Sequence, residues 1–96
     1  MNLLSVEDLS KEDINQIFEI ADAVKSGSSP VSIKEGSVLV LFFQKFSIKT
    51  RLALEVAMSR LGGRSVYLNA SSMDTSKSNM LLIGNLLGSY ADFIAA

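Results

Sequence analysis

Residues 38–51 read VLVLFFQKFSIKTR, and this stretch decides the fold. Its first six residues form an unbroken apolar run of β-branched, aliphatic and aromatic side chains, which is typical of a strand covered on both faces. A short polar turn follows, and a helical pattern begins at about Thr50. The stretch therefore predicts a buried strand that passes through a turn directly into a helix.

Hydroxyl and cationic side chains are concentrated in the turn between this strand and helix, at Ser47, Lys49, Thr50 and Arg51. Backbone N–H groups at the start of a helix lack intrahelical acceptors, and the helix dipole adds positive potential there. Anions bind at such positions, so we expect a phosphate-type site at these four residues. A plainer interpretation of Ser47 stays open, because serine is a preferred N-cap in any helix.

Helices and strands alternate along the chain. Ser10 and Asp13 form a capping-box pattern ahead of an amphipathic helix that stops near Gly27. We then expect strands at 37–43, 64–69 and 92–96, helices at 50–61 and 79–90, and a loop at 71–78. This order predicts right-handed βαβ units and an α/β fold with a three-layer parallel sheet.

Composition excludes several classes of function. The net charge of -1, without a basic block, argues against nucleic-acid binding. The sequence has no cysteine and no histidine, which removes the thiolate and imidazole ligands of metals and the commonest general base. We expect no metal, no cofactor and no catalytic residue. Without cysteine, a cationic leader or a long apolar segment, we expect a cytoplasmic chain that does not enter membranes.

These motifs resemble one protein family. Residues 43–63 follow the pattern F-x-x-x-S-x-x-T-R-L-x-x-E-V-A-x-x-x-L-G-G. The pattern is similar to the turn and helix of aspartate and ornithine carbamoyltransferases, roughly F-x-K-x-S-T-R-T-R and then S-F-E-x-A-x-x-x-L-G-G. The opening Leu3-Leu4-Ser5 and the stretch 90–94, Y-A-D-F-I, resemble the same family. The resemblance implies that residues 1–96 are one partial domain, the first half of the amino-terminal carbamoyl-phosphate-binding domain.

The resemblance also implies a ligand. In such enzymes the turn holds the phosphate of carbamoyl phosphate through side chains and main-chain N–H groups. The carbamoyl group then passes to the amine of aspartate or ornithine. Carried over by position, the phosphate ligands are Ser47, Lys49, Thr50 and Arg51, and the ligand is carbamoyl phosphate or phosphate.

Several positions depart from the family pattern. Ile48 replaces a threonine, and Lys49 replaces an arginine, so the planar fork that grips two phosphate oxygens is lost. Residues 74–79 replace a K-G-E loop that reaches a neighbouring subunit in the aspartate enzymes, and Lys77 is the basic residue left there. We expect Lys77 to be either an exposed loop lysine or an inter-subunit contact. The family's H-P-x-Q stretch and second domain are missing, so we do not expect 96 residues to catalyse carbamoyl transfer alone.

Three hypotheses remain open at this point. The first is a segment that binds carbamoyl phosphate. The second is a non-catalytic module that forms homo-oligomers or binds a partner chain, because the sequence is 48% hydrophobic and three strands leave an open sheet edge. The third is a fragment of a longer enzyme.

Overall fold

The computed structural model describes residues 2–28, 31–74 and 76–96. Its elements are α1 (Lys11–Lys25), β1 (Val38–Phe43), α2 (Ile48–Arg60), β2 (Arg64–Asn69), α3 (Lys77–Tyr90) and β3 (Phe93–Ala95), with 3-10 turns at Val6–Asp8 and Ala70–Ser72. The chain forms two compact units, Met1–Ser32 and Ile33–Ala96. In the described ranges, no helix combines the length and the apolar character that crossing a bilayer requires. The predicted alternation of helices and strands is confirmed.

Helix α1 belongs to the first unit and begins with the predicted capping box. The Ser10 hydroxyl accepts from the Asp13 N–H at 3.1 Å, and the Asp13 carboxylate accepts from the Ser10 N–H at 3.0 Å. These two contacts satisfy donors that the helix start would otherwise leave free. Gly27 follows the helix with a φ of 80°, a left-handed conformation that glycine adopts without a steric penalty.

The second unit is built on a parallel sheet with the strand order β2-β1-β3. In the central strand, Val40 lies opposite Val66 of β2 and Ile94 of β3. Val40 is 5% exposed and Leu41 is fully buried, so both faces of β1 are covered. This central position explains why the sequence of β1 is apolar throughout instead of alternating. The predicted α/β class with a parallel sheet is confirmed.

The core of this unit lies between β1 and α2. Leu39 and Leu41 point to the same face of the sheet and pack with Met58 of α2. Further half-buried side chains surround this cluster, namely Ile33, Phe43, Leu54, Tyr67 and Ala95. Since Met58 and Leu54 attach α2 to this cluster, the sheet fixes the position of the helix and of the turn that precedes it.

Both later helices begin two residues before their predicted starts. Helix α2 begins at Ile48 because Ser47 caps it, with the Ser47 carbonyl accepting from the Arg51 N–H at 3.0 Å. Helix α3 begins at Lys77, so the predicted loop at 71–78 is shorter than expected. There the Asp74 carboxylate accepts a hydrogen bond from the Ser76 N–H at 2.9 Å, which fixes the position of Ser76 just before the helix. Thr75 lies outside the described residues.

Candidate functional site

A cavity of about 440 Å³ lies at the carboxyl end of β1. It is lined by Phe42, Phe43, Gln44, Lys45, Ser47, Thr50 and Ala96. The chain runs from β1 to β2 on one side and then returns past β1 to β3 on the other, so the strand order reverses between β1 and β3. Open α/β sheets bind ligands outside the carboxyl ends of the strands at such a reversal. The topology alone therefore marks this cavity as a candidate ligand site.

The start of α2 forms one wall of the cavity. Ser47 has an extended backbone, with φ -136° and ψ 106°, and its hydroxyl oxygen accepts from the Thr50 N–H at 3.4 Å. A hydroxyl that accepts one hydrogen bond still has its own proton to donate. The first N–H groups of the helix, at Ile48 and Lys49, have no intrahelical acceptors. This wall can therefore offer hydroxyl and main-chain donors, together with the positive end of the helix dipole, to an anion.

Three cationic side chains surround the turn, but they differ in position. Lys45 lines the cavity and is the one charged residue among the seven that do. Lys49 is exposed on the first turn of α2 and is not a lining residue. The guanidinium of Arg51 lies 3.9 Å from the centroid of the Tyr67 ring, and its Nε lies 3.5 Å from a carboxylate oxygen of Glu55. One cation thus lines the cavity, and the other two lie on the first turn of α2 outside its lining.

The structure brings together some of the predicted site residues and separates others. Ser47 and Thr50 meet at the cavity. Lys49 and Arg51 are neighbours of these residues along the helix but do not line the cavity, so their roles as phosphate ligands stay predictions. Lys77 is exposed at the first residue of α3 and is likewise outside the lining. In the described ranges, acidic side chains do not form a group of three that could hold a metal ion.

Lys45 and Gln44 are the polar lining residues that the sequence analysis missed. Neither lies in the helix, whereas the predicted donors begin at Ser47. A signal for Lys45 was present, because the family pattern F-x-K-x-S places a lysine between the phenylalanine and the serine. Phe43, Lys45 and Ser47 follow that spacing.

Comparison with known proteins decides the family. The family model described as "Aspartate/ornithine carbamoyltransferase, carbamoyl-P binding domain" matches residues 1–96. The chain belongs to this family. The membership confirms the resemblance drawn from residues 43–63 and accounts for the α/β fold that surrounds the cavity.

Carbamoyltransferases of both kinds are similar to this chain. The ornithine carbamoyltransferase of Pyrococcus abyssi is 35% identical over 99% of this chain and 31% of that protein. The aspartate carbamoyltransferase catalytic subunit of Methanothrix thermoacetophila is 33% identical over 97% of this chain and 32% of that protein. The solved ornithine carbamoyltransferase of Pyrococcus furiosus superimposes with a TM-score of 0.80, at 35% identity, covering 97% of this chain and 31% of that one. The chain therefore spans about a third of the length of these carbamoyltransferases.

Proposed function

We propose that the cavity at the end of β1 binds the phosphate group of carbamoyl phosphate. The observation that carries this proposal is the convergence of Lys45, Ser47 and Thr50 on one cavity at the start of a helix. Two independent arguments support the same ligand. The helix start favours an anion on physical grounds, and the family model that matches the whole chain describes a carbamoyl-phosphate-binding domain.

Each residue of the cavity has a defined part in this proposal. The hydroxyls of Ser47 and Thr50 donate to phosphate oxygens, and the ammonium of Lys45 forms a charge-assisted contact with the same group. Lys49 and Arg51, on the first turn of α2, add positive charge from outside the cavity lining. The aromatic side chains of 42 and 43 reduce the local dielectric constant, which strengthens all of these contacts.

The proposed chemistry is binding, without carbamoyl transfer by these residues alone. Donors gathered at the phosphate would stabilise it as a leaving group when the carbamoyl group is transferred. The chain, however, covers only about a third of the carbamoyltransferases that it matches, and its sequence has no histidine to act as a general acid or base. We propose a cytoplasmic location, which the absence of cysteine supports.

A titration followed by two-dimensional amide NMR tests the binding proposal. Inorganic phosphate and freshly dissolved carbamoyl phosphate should both shift the amide signals of Lys45, Ser47 and Lys49. Thr50→Val removes one donor at nearly constant volume and should weaken binding. Ser59→Ala is the matched control, because it removes an exposed hydroxyl from the last turn of the same helix. Unchanged spectra at millimolar ligand, in a folded protein, would overturn the ligand assignment while leaving the family membership intact.

A second assay tests the absence of transfer. The chain is mixed with carbamoyl phosphate and either aspartate or ornithine, and the carbamoylated amino acid is measured. We expect no product above the uncatalysed background. Product formation that depends on Ser47 would overturn the proposal that the chain only binds.

The exposed apolar surface of α3 favours a second function, as an oligomerising or partner-binding module. Leu81, Leu82 and Leu86 are 63%, 56% and 49% exposed, and Tyr90 is 77% exposed. Apolar side chains grouped in this way usually mark an interaction surface. In addition, β2 and β3 are the edges of the described sheet and present unpaired backbone groups. Lys77 begins the same helix, so its predicted inter-subunit role belongs to this proposal.

Light scattering at micromolar concentration tests the second function. A homo-oligomer is expected, and Leu82→Glu should dissociate it because a charge would be buried at the interface. Lys25→Glu, at an exposed position at the end of α1, is the control for a charge change. A stable monomer that binds no hydrophobic dye would exclude this function.

A further inference from the structure

The side chain of Arg51 connects the first turn of α2 with the middle of β2. Its guanidinium stacks over the Tyr67 ring at 3.9 Å, and its Nε pairs with Glu55 one turn further along the helix. The side chains of Arg51 and Glu55 remain 35% and 32% exposed, so the ion pair alone contributes little. The contact with the face of Tyr67 is the one that reaches from the helix to the sheet.

This contact leads back to the cavity by two routes. The N–H of Arg51 donates to the carbonyl of Ser47 at 3.0 Å, so the position of Arg51 sets the position of the cap. On the other side, the Tyr67 ring meets Phe43 edge to face at 6.2 Å between centroids, and Phe43 lines the cavity. The guanidinium thus connects the two parts of the cavity wall that the ligand would touch, the Ser47 cap and the Phe43 side chain.

We infer that Arg51 is a positioning residue that fixes the phosphate cradle through Tyr67 and is not itself a phosphate ligand. The inference rests on the proposed function, because it assigns a role within that site. A guanidinium that turned into the cavity would give up both its contact with the aromatic face and its carboxylate partner. With its guanidinium on the Tyr67 ring, Arg51 orders the donors of Ser47 and Thr50 from outside the cavity.

A double-mutant cycle measures whether Arg51 acts through Tyr67. The variants are Arg51→Lys, which keeps the charge and loses the planar group, Tyr67→Leu, which loses the aromatic face, and the pair combined. Inorganic phosphate affinity is measured by NMR titration at fixed ionic strength. Each single variant should weaken binding by about threefold to tenfold, the range that a lost cation–π contact can transmit. The combined variant should lose no more than either single variant.

Tyr67→Phe is the matched control, because it keeps the ring that faces Arg51 and removes only the hydroxyl. It should bind phosphate as the original chain does. If Tyr67→Leu leaves the affinity unchanged while Arg51→Lys reduces it, Arg51 is a direct ligand and the inference is wrong. If the two losses add, Tyr67 acts on the cavity through Phe43 and not through Arg51, and the inference is also wrong.

A readout without ligand separates this inference from the proposed function. Amide hydrogen exchange at Arg51 and Leu52 reports how firmly the first turn of α2 is held. Tyr67→Leu and Arg51→Lys should accelerate exchange there by a similar factor, and Tyr67→Phe should not. Failure of the original chain to bind phosphate would remove the proposed function and the ligand part of this inference. Unaltered exchange in both variants would remove the positioning role itself.

Discussion

At the scale of single residues, charge is distributed unevenly around the cavity. Lys45 lines it, Lys49 lies outside it on the first turn of α2, and Arg51 stacks on the Tyr67 ring. Three cations that are close in sequence therefore occupy three different positions relative to the cavity. Substituting them one at a time can distinguish direct contact with the ligand from long-range attraction, because salt strongly screens the long-range attraction and not the contact.

We expect Lys45→Met to weaken phosphate binding by about tenfold, the loss that follows when a hydrogen bond to a charged group is removed. Lys49→Met is the matched control, with the same change of side chain at an exposed position outside the cavity. Its effect should be smaller and should disappear as the salt concentration is raised. Equal losses in the two variants, at low and high salt alike, would show that Lys45 has no contact of its own.

At the scale of elements, the capping box makes helix α1 sensitive to pH. The N–H of Ser10, and then its hydroxyl, lower the pKa of Asp13 below the ordinary value of 3.8. A carboxylate with a lowered pKa in the folded chain stabilises the helix above the ordinary value. This contribution is lost as the pH falls below 3.8 and through the lower folded value.

We therefore expect the helical chemical shifts of the first turn of α1 to decline on acidification below pH 3.8. Asp13→Asn should remove most of that pH dependence, because the amide does not titrate. The neighbouring Glu12→Gln should leave it in place, since Ser10 bonds to Asp13 and not to Glu12. An identical acid response in the Asp13→Asn variant would assign the effect to another group.

Two glycines distinguish an element junction from a helix interior. A Cβ added at Gly63 would lie 2.9 Å from the carbonyl oxygen of Ser37 and 2.5 Å from Met58 Cε, so the backbone would have to move. We expect Gly63→Ala to lower the free energy of unfolding by about 1–3 kcal/mol.

At Gly84, inside α3, a Cβ would meet no atom within 4 Å. Gly84→Ala should raise the free energy by about 0.5–1 kcal/mol, as alanine favours helix. Urea denaturation measures both, and the same sign for both would contradict the packing described.

At the scale of the whole molecule, Asp92 joins the start of β3 to the start of β1, the central strand of the sheet. Its carboxylate accepts from the N–H of Val38 at 2.8 Å, and its own N–H donates to the carbonyl of Val38 at 2.9 Å. This pair fixes where β3 meets β1. It also explains why β3 begins at Phe93, one residue later than the predicted start at residue 92.

We expect Asp92→Ala to lower the free energy of unfolding by about 1–2 kcal/mol, because the N–H of Val38 loses its acceptor. Asp92→Asn keeps a carbonyl oxygen in place and should cost less. Chemical denaturation gives the free energies, and amide exchange at Ile94 shows whether β3 detaches first. Equal stability of the alanine variant and the original chain would show that β3 is held by its ladder alone.

The sequence predicts most of the fold because its signals are local. The capping box at Ser10, the apolar run of β1 and the bounds of β2 each follow from a few adjacent residues. The strand order does not follow, since it depends on which side of β1 each crossover passes. In the site, Ser47 and Thr50 were predicted and do meet at the cavity. The contact of Arg51 with Tyr67 joins two elements that are apart in sequence, so no spacing rule could reveal it.

The central position of β1 has a consequence for how the chain is made. Both strands that pair with Val38–Phe43 come later in the sequence, so the six apolar residues are synthesised before either partner. They stay without their second neighbour until Phe93–Ala95 have been synthesised. Short segments of this composition, without charge or proline, are prone to assemble between chains. The strand at the centre of the sheet is therefore also a segment of the nascent chain that is prone to associate with other chains before its partners are in place.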